Sequence, residues 1–100
     1  MPYRLRYSPE ALNDLKRVRS HDRAAILDQI QRLLTVNPTL ESQARIKKLR
    51  EPAPTQYRLR VGEIRVFYNV KGNDVFIVRV TAKEEAGSYD PGEQDGNRKD

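Results

Sequence analysis

The residues with the clearest chemical potential are arginines that alternate with apolar side chains. In the segment 57–61 the arginines are Arg58 and Arg60, and Arg65 follows after a glycine. Successive side chains of a β-strand point to opposite faces, so Arg58 and Arg60 share one face. A bend at Gly62 would bring Arg65 beside Arg60. Guanidinium groups bind phosphate oxygens in pairs, so the pattern indicates a phosphate-binding surface. A solvated sheet face that is filled with arginine explains the same pattern.

Two further side chains extend this pattern toward the carboxyl end of the chain. Lys83 closes a valine-rich stretch, and Arg79 falls on the same face of that stretch if it is a strand. Tyr89 follows in a polar segment that gives it few apolar neighbours. A tyrosine beside a basic face is suited to stack on a nucleotide base. It is equally suited to anchor the end of the chain on the core, and both interpretations stay open.

Composition excludes several kinds of site. The chain has 100 residues, no cysteine and one histidine (His21), so thiolate metal sites, disulfides and histidine pairs are excluded. Residues 1–89 hold 17 basic and 10 acidic residues, a formal charge of +7, which favours a polyanion as partner. There is no glycine-rich phosphate loop, no apolar run long enough to cross a membrane and no apolar leader. We therefore expect a cytoplasmic protein without a cofactor or metal.

Two helices are predicted in the first half of the chain. Residues 3–7 alternate in a strand pattern, and Ser8-Pro9-Glu10 is typical of a helix start. A second helix is predicted to begin at His21-Asp22 and to end at Asn37-Pro38. Because only a few residues join them, the two helices should form an antiparallel hairpin.

The second half of the chain predicts an antiparallel sheet. Residues 39–55 are interpreted as a connection whose basic segment 45–50 has no clear assignment, and three strands follow at 56–61, 63–70 and 75–81. The fold class is therefore α+β: an N-terminal strand and a helix hairpin packed on a sheet of about four strands, with the cations on the opposite face. The domain spans residues 1–89, and residues 90–100 are expected to form a disordered polar tail.

These residues resemble the RelE/ParE toxin superfamily of bacterial type II toxin–antitoxin systems. The resemblance covers residues 2–89 and is most specific at Tyr57–Tyr68, followed by the valine-rich strand and Lys83-Glu84. It implies a RelE-like microbial RNase fold and a toxin that a separate antitoxin chain, RelB-like or similar, neutralises. Operator DNA would be reached only through the antitoxin complex.

The superfamily contains two main activities. RelE-like members cut mRNA in the ribosomal A site, whereas ParE-like members inhibit DNA gyrase without catalysis. The RelE-like pattern places basic residues and a tyrosine at positions that are filled here by Arg58, Arg60, Arg65, Lys83 and Tyr89. The resemblance thus implies a metal-independent endoribonuclease with the ribosome and mRNA as partners. The alternatives are a ParE-like gyrase inhibitor and a catalytically weak toxin that serves as an antitoxin-binding corepressor.

The resemblance also suggests a role for each side chain. Arg58 and Arg65 would stabilise the phosphorane, Lys83 would protonate the leaving 5′-oxygen, and Tyr89 would stack on the nucleotide. Many relatives carry lysine where Arg60 stands, and arginine is a poor general base because it stays protonated. Four more basic residues are predicted to bind RNA: Lys47, Lys48, Arg50 and Arg79.

Overall fold

A computed structural model describes residues 2–42 and 45–89 of the chain. The first strand, β1, spans Arg4–Tyr7, and helix α1 spans Pro9–Arg17. Ser8 caps α1, because its Oγ accepts a hydrogen bond from the Ala11 N–H at 2.9 Å. The sequence-based prediction of this helix start is confirmed. The predicted tail 90–100 lies outside the described residues.

The second helix, α2, follows almost directly and spans Ser20–Leu34. It begins one residue before the predicted start and ends before Asn37-Pro38. Arg23 of α2 joins the two helices, since its guanidinium donates to the carbonyl oxygens of Leu15 (2.8 Å) and Val18 (2.7 Å) at the end of α1. The Leu15 carbonyl also accepts from the Val18 N–H at 3.2 Å, so Arg23 adds a second hydrogen bond to the carbonyl groups at this helix end. Neither helix is long and apolar enough to cross a membrane.

The sheet has five strands in the order β1-β5-β4-β3-β2. After β1 the strands are β2 (Ile46–Lys48), β3 (Tyr57–Val61), β4 (Ile64–Lys71) and β5 (Asp74–Ala82), and a 3₁₀ segment, Lys83–Ser88, follows β5. Strands β2 to β5 pair antiparallel, whereas β1 pairs parallel with β5.

Two details of the predicted sheet were wrong. The sheet has five strands instead of about four, because the unassigned basic segment contains β2, which is too short to show a period. The sheet is also mixed instead of purely antiparallel, since β1 pairs parallel with β5. This could not be predicted, because the side-chain pattern of β1 does not show which strand it joins or in which direction. The α+β class and the helix layer on one face are confirmed.

Glycine makes both hairpin turns of the sheet possible. Gly62 and Gly72 have φ of 59° and 60°, and each is the first residue of a two-residue turn. Such φ values cost glycine little because it has no Cβ. Asn73, the second residue of the later turn, has a negative φ.

The main core lies between the helices and one face of the sheet. Its largest buried side chains come from α2 and from the three long strands: Ile26, Ile30, Leu34, Leu59, Val66, Tyr68, Val75 and Ile77. Tyr57 and Val61 pack against the same core. Alternation along β3 therefore directs Arg58 and Arg60 to the other face, as the sequence predicted.

Candidate functional site

Strand register brings the predicted cations together on the sheet face that turns away from the helices. Arg60 and Arg65 are direct partners across β3 and β4, as predicted from the bend at Gly62. Arg58 is the partner of Phe67 on β4 and of Lys47 on β2. We call the surface formed by these five residues the cationic face.

The cationic face is not the open surface that the sequence suggested. Arg58 is 5% exposed and Arg65 is 2% exposed, because a second, smaller core covers this side of the sheet. That core contains Leu49, Phe67 and Ala86, with Ala53 and Tyr89 packed against it. The expectation of an exposed arginine surface was therefore wrong for the two central guanidinium groups. The alternation of apolar and polar residues in a strand shows that the two faces of the sheet differ. It does not show which face the segment after β5 covers.

Arg65 is held by the turn that precedes it. Its Nη1 donates to the carbonyl oxygens of Gly62 at 2.9 Å and Ile64 at 3.2 Å. Thr81 is the strand partner of Arg65 on β5, and its buried hydroxyl forms no hydrogen bond with the described residues. The guanidinium is thus fixed in a largely dry environment, where its charge acts over a longer range than in water.

The predicted cations differ in exposure. Arg60, Lys48 and Arg50 are exposed, whereas Lys47 and Lys83 are partly buried. Lys48 is the strand partner of Tyr57, which packs against the main core, so Lys48 lies on the helix side of the sheet and not on the cationic face. The N–H of Lys83 donates to the Glu63 carbonyl at 2.8 Å, so the backbone of Lys83 lies beside the turn between β3 and β4. A polyanion that approaches the face therefore meets Arg60 first, with Arg58 and Arg65 beneath the surface.

Arg79 is bound to a carboxylate that the sequence reasoning did not single out. The Arg79 Nε and Nη2 donate to the two carboxylate oxygens of Asp14 on α1, at 2.7 and 3.0 Å. Asp14 also accepts a hydrogen bond from the Val80 N–H at 2.9 Å. Arg79 was predicted to be an RNA-binding cation, but its guanidinium is already occupied by this internal ion pair.

The ion pair alters the pKa values of both partners. Burial alone would raise the pKa of Asp14, but the hydrogen bonds from Arg79 and Val80 outweigh it and hold this pKa below its ordinary value. The hydrogen bond to Asp14 raises the pKa of Arg79 further. Both groups are therefore charged at neutral pH.

A signal for Asp14 was present in the sequence. On α1, Ala11 is buried, and residue 14 lies three positions beyond it, so Asp14 falls on the same side of the helix. A carboxylate on the buried side of a helix requires a charged partner. What the sequence does not show is which of the many arginines provides it.

Tyr89 packs on the cationic face and is partly buried. Its ring lies 5.1 Å from the Phe67 ring, centroid to centroid, at an angle of 34°. The Arg79 guanidinium carbon lies 5.9 Å from the centroid of the Tyr89 ring, within the range of a cation–π contact. Of the two interpretations of Tyr89, the anchoring of the chain end is what the structure displays.

The described residues contain no group of three histidine or acidic side chains that could hold a metal ion. The chemistry that the arrangement supports is electrostatic: guanidinium groups and the Lys47 ammonium group on the sheet, with the Lys83 ammonium group and the Tyr89 phenol on the 3₁₀ segment beside it.

The chain matches a known protein family in sequence and several solved structures in fold. Residues 5–87 match the family described as the ParE toxin of type II toxin-antitoxin system, parDE. No curated protein matches the chain in a sequence search. The fold is similar to that in the toxin-antitoxin complex RelBE2 from Mycobacterium tuberculosis, with 25% identity, a TM-score of 0.67 and coverage of 82% of this chain and 99% of that one.

Two other solved structures show the same fold at lower identity. The archaeal RelE-RelB complex from Pyrococcus horikoshii OT3 has 22% identity and a TM-score of 0.67, covering 86% of this chain and 100% of that one. The chromosomal ParDE system from P. aeruginosa has 17% identity and a TM-score of 0.61, covering 80% of this chain and 95% of that one. The fold is thus common to toxins with RelE and with ParE names. The match over residues 5–87 shows that the chain belongs to the ParE toxin family of type II toxin–antitoxin systems, within the RelE/ParE superfamily.

Proposed function

We propose that this toxin is a RelE-like endoribonuclease that cleaves mRNA in the ribosomal A site and thereby arrests translation in the cytoplasm. The observation that carries the proposal is the pairing of Arg60 with Arg65 across β3 and β4, with Arg58 on the same face. Guanidinium groups at neighbouring positions of a sheet can bind the oxygens of one phosphate together. A ribose-phosphate chain is a negative ligand that suits such a surface.

The electrostatic part of the reaction is divided between exposed and buried cations. Arg60 is exposed and contacts the phosphate, whereas Arg58 and Arg65 provide fixed positive charge from beneath. Because the burial and backbone hydrogen bonds of Arg65 hold it in place, no reorganisation is needed as charge develops on the phosphorane. Arginine also keeps its proton through the reaction, so these three residues do not act as bases.

Proton transfer is assigned to residues outside the arginine set. Lys83 is partly buried at the end of β5 and protonates the leaving 5′-oxygen. Tyr89 orients the scissile nucleotide with the exposed part of its ring. The base that removes the 2′-hydroxyl proton comes from the ribosome, from water or from Tyr89. Neither a metal ion nor an organic cofactor takes part.

An antitoxin chain is the expected protein partner. A similar fold with 25% identity occurs in a RelBE2 toxin-antitoxin complex, which supports a protein that binds and neutralises this chain. The formal charge of +7 over residues 1–89 favours an acidic partner. Operator DNA would be bound through that complex.

A ParE-like inhibitor of DNA gyrase is the second candidate. The family match and the burial of Arg58 and Arg65 favour it, because a non-catalytic toxin needs no accessible arginine cluster. A catalytically weak toxin that serves as corepressor is the third, and unimpeded growth on antitoxin-free expression would indicate it.

The deciding experiment combines primer extension on cellular mRNA with a gyrase supercoiling assay. Expression of the full chain should produce cuts in translated mRNA, and Arg60→Gln should weaken them by at least about tenfold, the usual size of one lost electrostatic contact. Arg32→Gln, which removes an exposed cation from α2, is the matched control and should cleave normally. Intact transcripts together with blocked supercoiling would establish the ParE-like activity instead.

A further inference from the structure

Asp14 lies where a helix, a strand edge and the cationic face meet. Strand β1 pairs with β5 only as far as Tyr7 and Ile77, so the outer edge of β5 has no strand partner beyond that point. Ser8 and Asp14 take over this edge: the Ser8 Oγ donates to the Val78 carbonyl, and Asp14 accepts from the Val80 N–H. The first function of Asp14 is therefore to join α1 to the sheet.

The contact of Asp14 with Arg79 connects it to Tyr89. Two hydrogen bonds to Asp14 fix the plane of the Arg79 guanidinium, whereas a single hydrogen bond would let the plane rotate. The same guanidinium lies 5.9 Å from the centre of the Tyr89 ring, and Phe67 contacts that ring at 5.1 Å. Arg79 and Phe67 are thus two of the side chains that contact the Tyr89 ring, and Asp14 fixes the position of Arg79.

From this chain of contacts we propose that Asp14 is a positioning residue, which holds Tyr89 on the cationic face through Arg79. The inference rests on the proposed function for its catalytic meaning, since Tyr89 is assigned there to the nucleotide. Asp14 is 6% exposed, and of its two contacts, with Val80 and with Arg79, only the one with Arg79 leads to a side chain that contacts Tyr89. Tyr89 follows a 3₁₀ segment, and its N–H donates to the Ala86 carbonyl at 2.9 Å, so its backbone is held by that turn while its ring position depends on side-chain contacts.

Fluorine NMR of the full chain labelled with 3-fluorotyrosine tests the placement directly. The chain has five tyrosines, and loss of one signal in Tyr89→Phe identifies the Tyr89 resonance. In Asp14→Asn the Tyr89 resonance should move toward its position in the denatured chain, whereas that of Tyr68, which is fully buried in the main core, should stay. Asp28→Asn, which removes an exposed carboxylate from α2, should move neither.

Arg79→Gln provides a second variant that leaves Asp14 and its contact with Val80 in place. It should move the Tyr89 resonance as Asp14→Asn does, even if Asp14→Asn disturbs the fold and shifts Tyr68. An unmoved Tyr89 resonance in Arg79→Gln, or in a folded Asp14→Asn, would overturn the proposal.

Ribosome-dependent cleavage gives the catalytic readout. If Tyr89 acts on the bound nucleotide, Asp14→Asn should lower kcat by about tenfold and leave KM nearly unchanged, because misplacement of a catalytic group affects the reacting geometry more than binding. A normal kcat with a displaced Tyr89 would overturn the catalytic part of the proposal. Absence of cleavage by the unmodified protein would instead refute the proposed RNase function, and the fluorine spectra would still decide whether Asp14 positions Tyr89.

Discussion

The two faces of the sheet are built in different ways. The helix face buries a continuous core in which Ile30, Leu34 and Leu59 are fully excluded from solvent. Among the described residues, the core on the cationic face consists of three buried apolar side chains, set among arginines and covered by a 3₁₀ segment and loops. The first arrangement provides most of the apolar burial that stabilises the fold. The second provides little burial but creates a dry environment for fixed positive charges.

This difference implies that stability and function are distributed unequally over the molecule. A substitution in the helix face should lower the free energy of unfolding, whereas one in the cationic face should act chiefly on ligand binding and reaction. Comparing variants of the two faces, in stability and in activity, tests whether that separation holds.

The largest loss of stability is expected from Ile30→Ala in the helix face. This side chain is completely buried, and truncating it leaves a cavity that surrounding residues fill only in part. The free energy of unfolding, measured by urea denaturation, should fall by about 3 to 4 kcal/mol. Leu12→Ala on α1 is the control, because that side chain is half exposed and should cost much less. Equal losses in the two variants would contradict a helix-face core of this kind.

Asp14→Ala should have the next largest effect, since it disrupts the connection between the two faces. It leaves Arg79 without its carboxylate and Val80 with an unsatisfied N–H, at a cost of about 3 kcal/mol in unfolding free energy. Asp28→Ala removes an exposed ion pair with Arg32 and should cost less than about 0.5 kcal/mol. Equal losses of unfolding free energy in Asp14→Ala and Asp28→Ala would show that burial does not strengthen the contact of Asp14 with Arg79.

The contribution of Asp14 should also depend on pH. Its pKa is lower in the folded chain than in the unfolded one, so its stabilisation is complete well above the ordinary aspartate value of about 4 and is lost as the pH falls through the folded value. The stability difference between the native chain and Asp14→Asn should therefore be constant from pH 6 to 8 and shrink below about pH 4. Urea denaturation across this range measures it, and a difference that grows on acidification would have the wrong sign.

Phe67→Leu tests the cationic face, where a substitution should affect activity more than stability. The replacement keeps an apolar side chain in the small core and should cost about 1 to 1.5 kcal/mol. It removes the ring against which Tyr89 packs, so mRNA cleavage should fall by more than the loss of stability explains. Val75→Ala in the helix face provides the comparison: similar or greater destabilisation with normal cleavage of the remaining folded protein.

The smallest effect on stability is expected for Arg60→Gln, although its effect on cleavage should be large. Arg60 is exposed, and relief of its repulsion with Arg65 offsets any lost contact, so the unfolding free energy should change by less than about 0.5 kcal/mol. Thermal denaturation measures this directly. A large destabilisation would mean that Arg60 has a structural role instead of a functional one.

Local patterns predicted the elements of this fold better than its long-range relations. The start of α1 at Ser8-Pro9 and the pairing of Arg60 with Arg65 follow from capping and from a two-residue turn, which are contacts between near neighbours in sequence. The parallel pairing of β1 with β5 did not follow, because nothing in the period of residues 4–7 identifies a partner seventy positions away.

The candidate site shows the same limit. Its members could be selected from the sequence because alternation puts Arg58 and Arg60 on one face. Their burial could not be predicted, because it depends on where a polar 3₁₀ segment returns to the sheet. The ion pair of Arg79 could not be predicted for a related reason: its partner, Asp14, is 65 residues away in sequence, on helix α1.

The pairing of the first strand with the last has a consequence for biosynthesis. Arg4 is the partner of Asp74, so β1 must wait for β5 to be translated before the sheet can close. Contacts between such distant segments also form slowly compared with local turns and helices. The arrangement of the β3 and β4 arginines with Lys83 and Tyr89 is therefore complete only after β5 and the 3₁₀ segment have been synthesised and have folded. Any function that depends on the whole arrangement begins after that point.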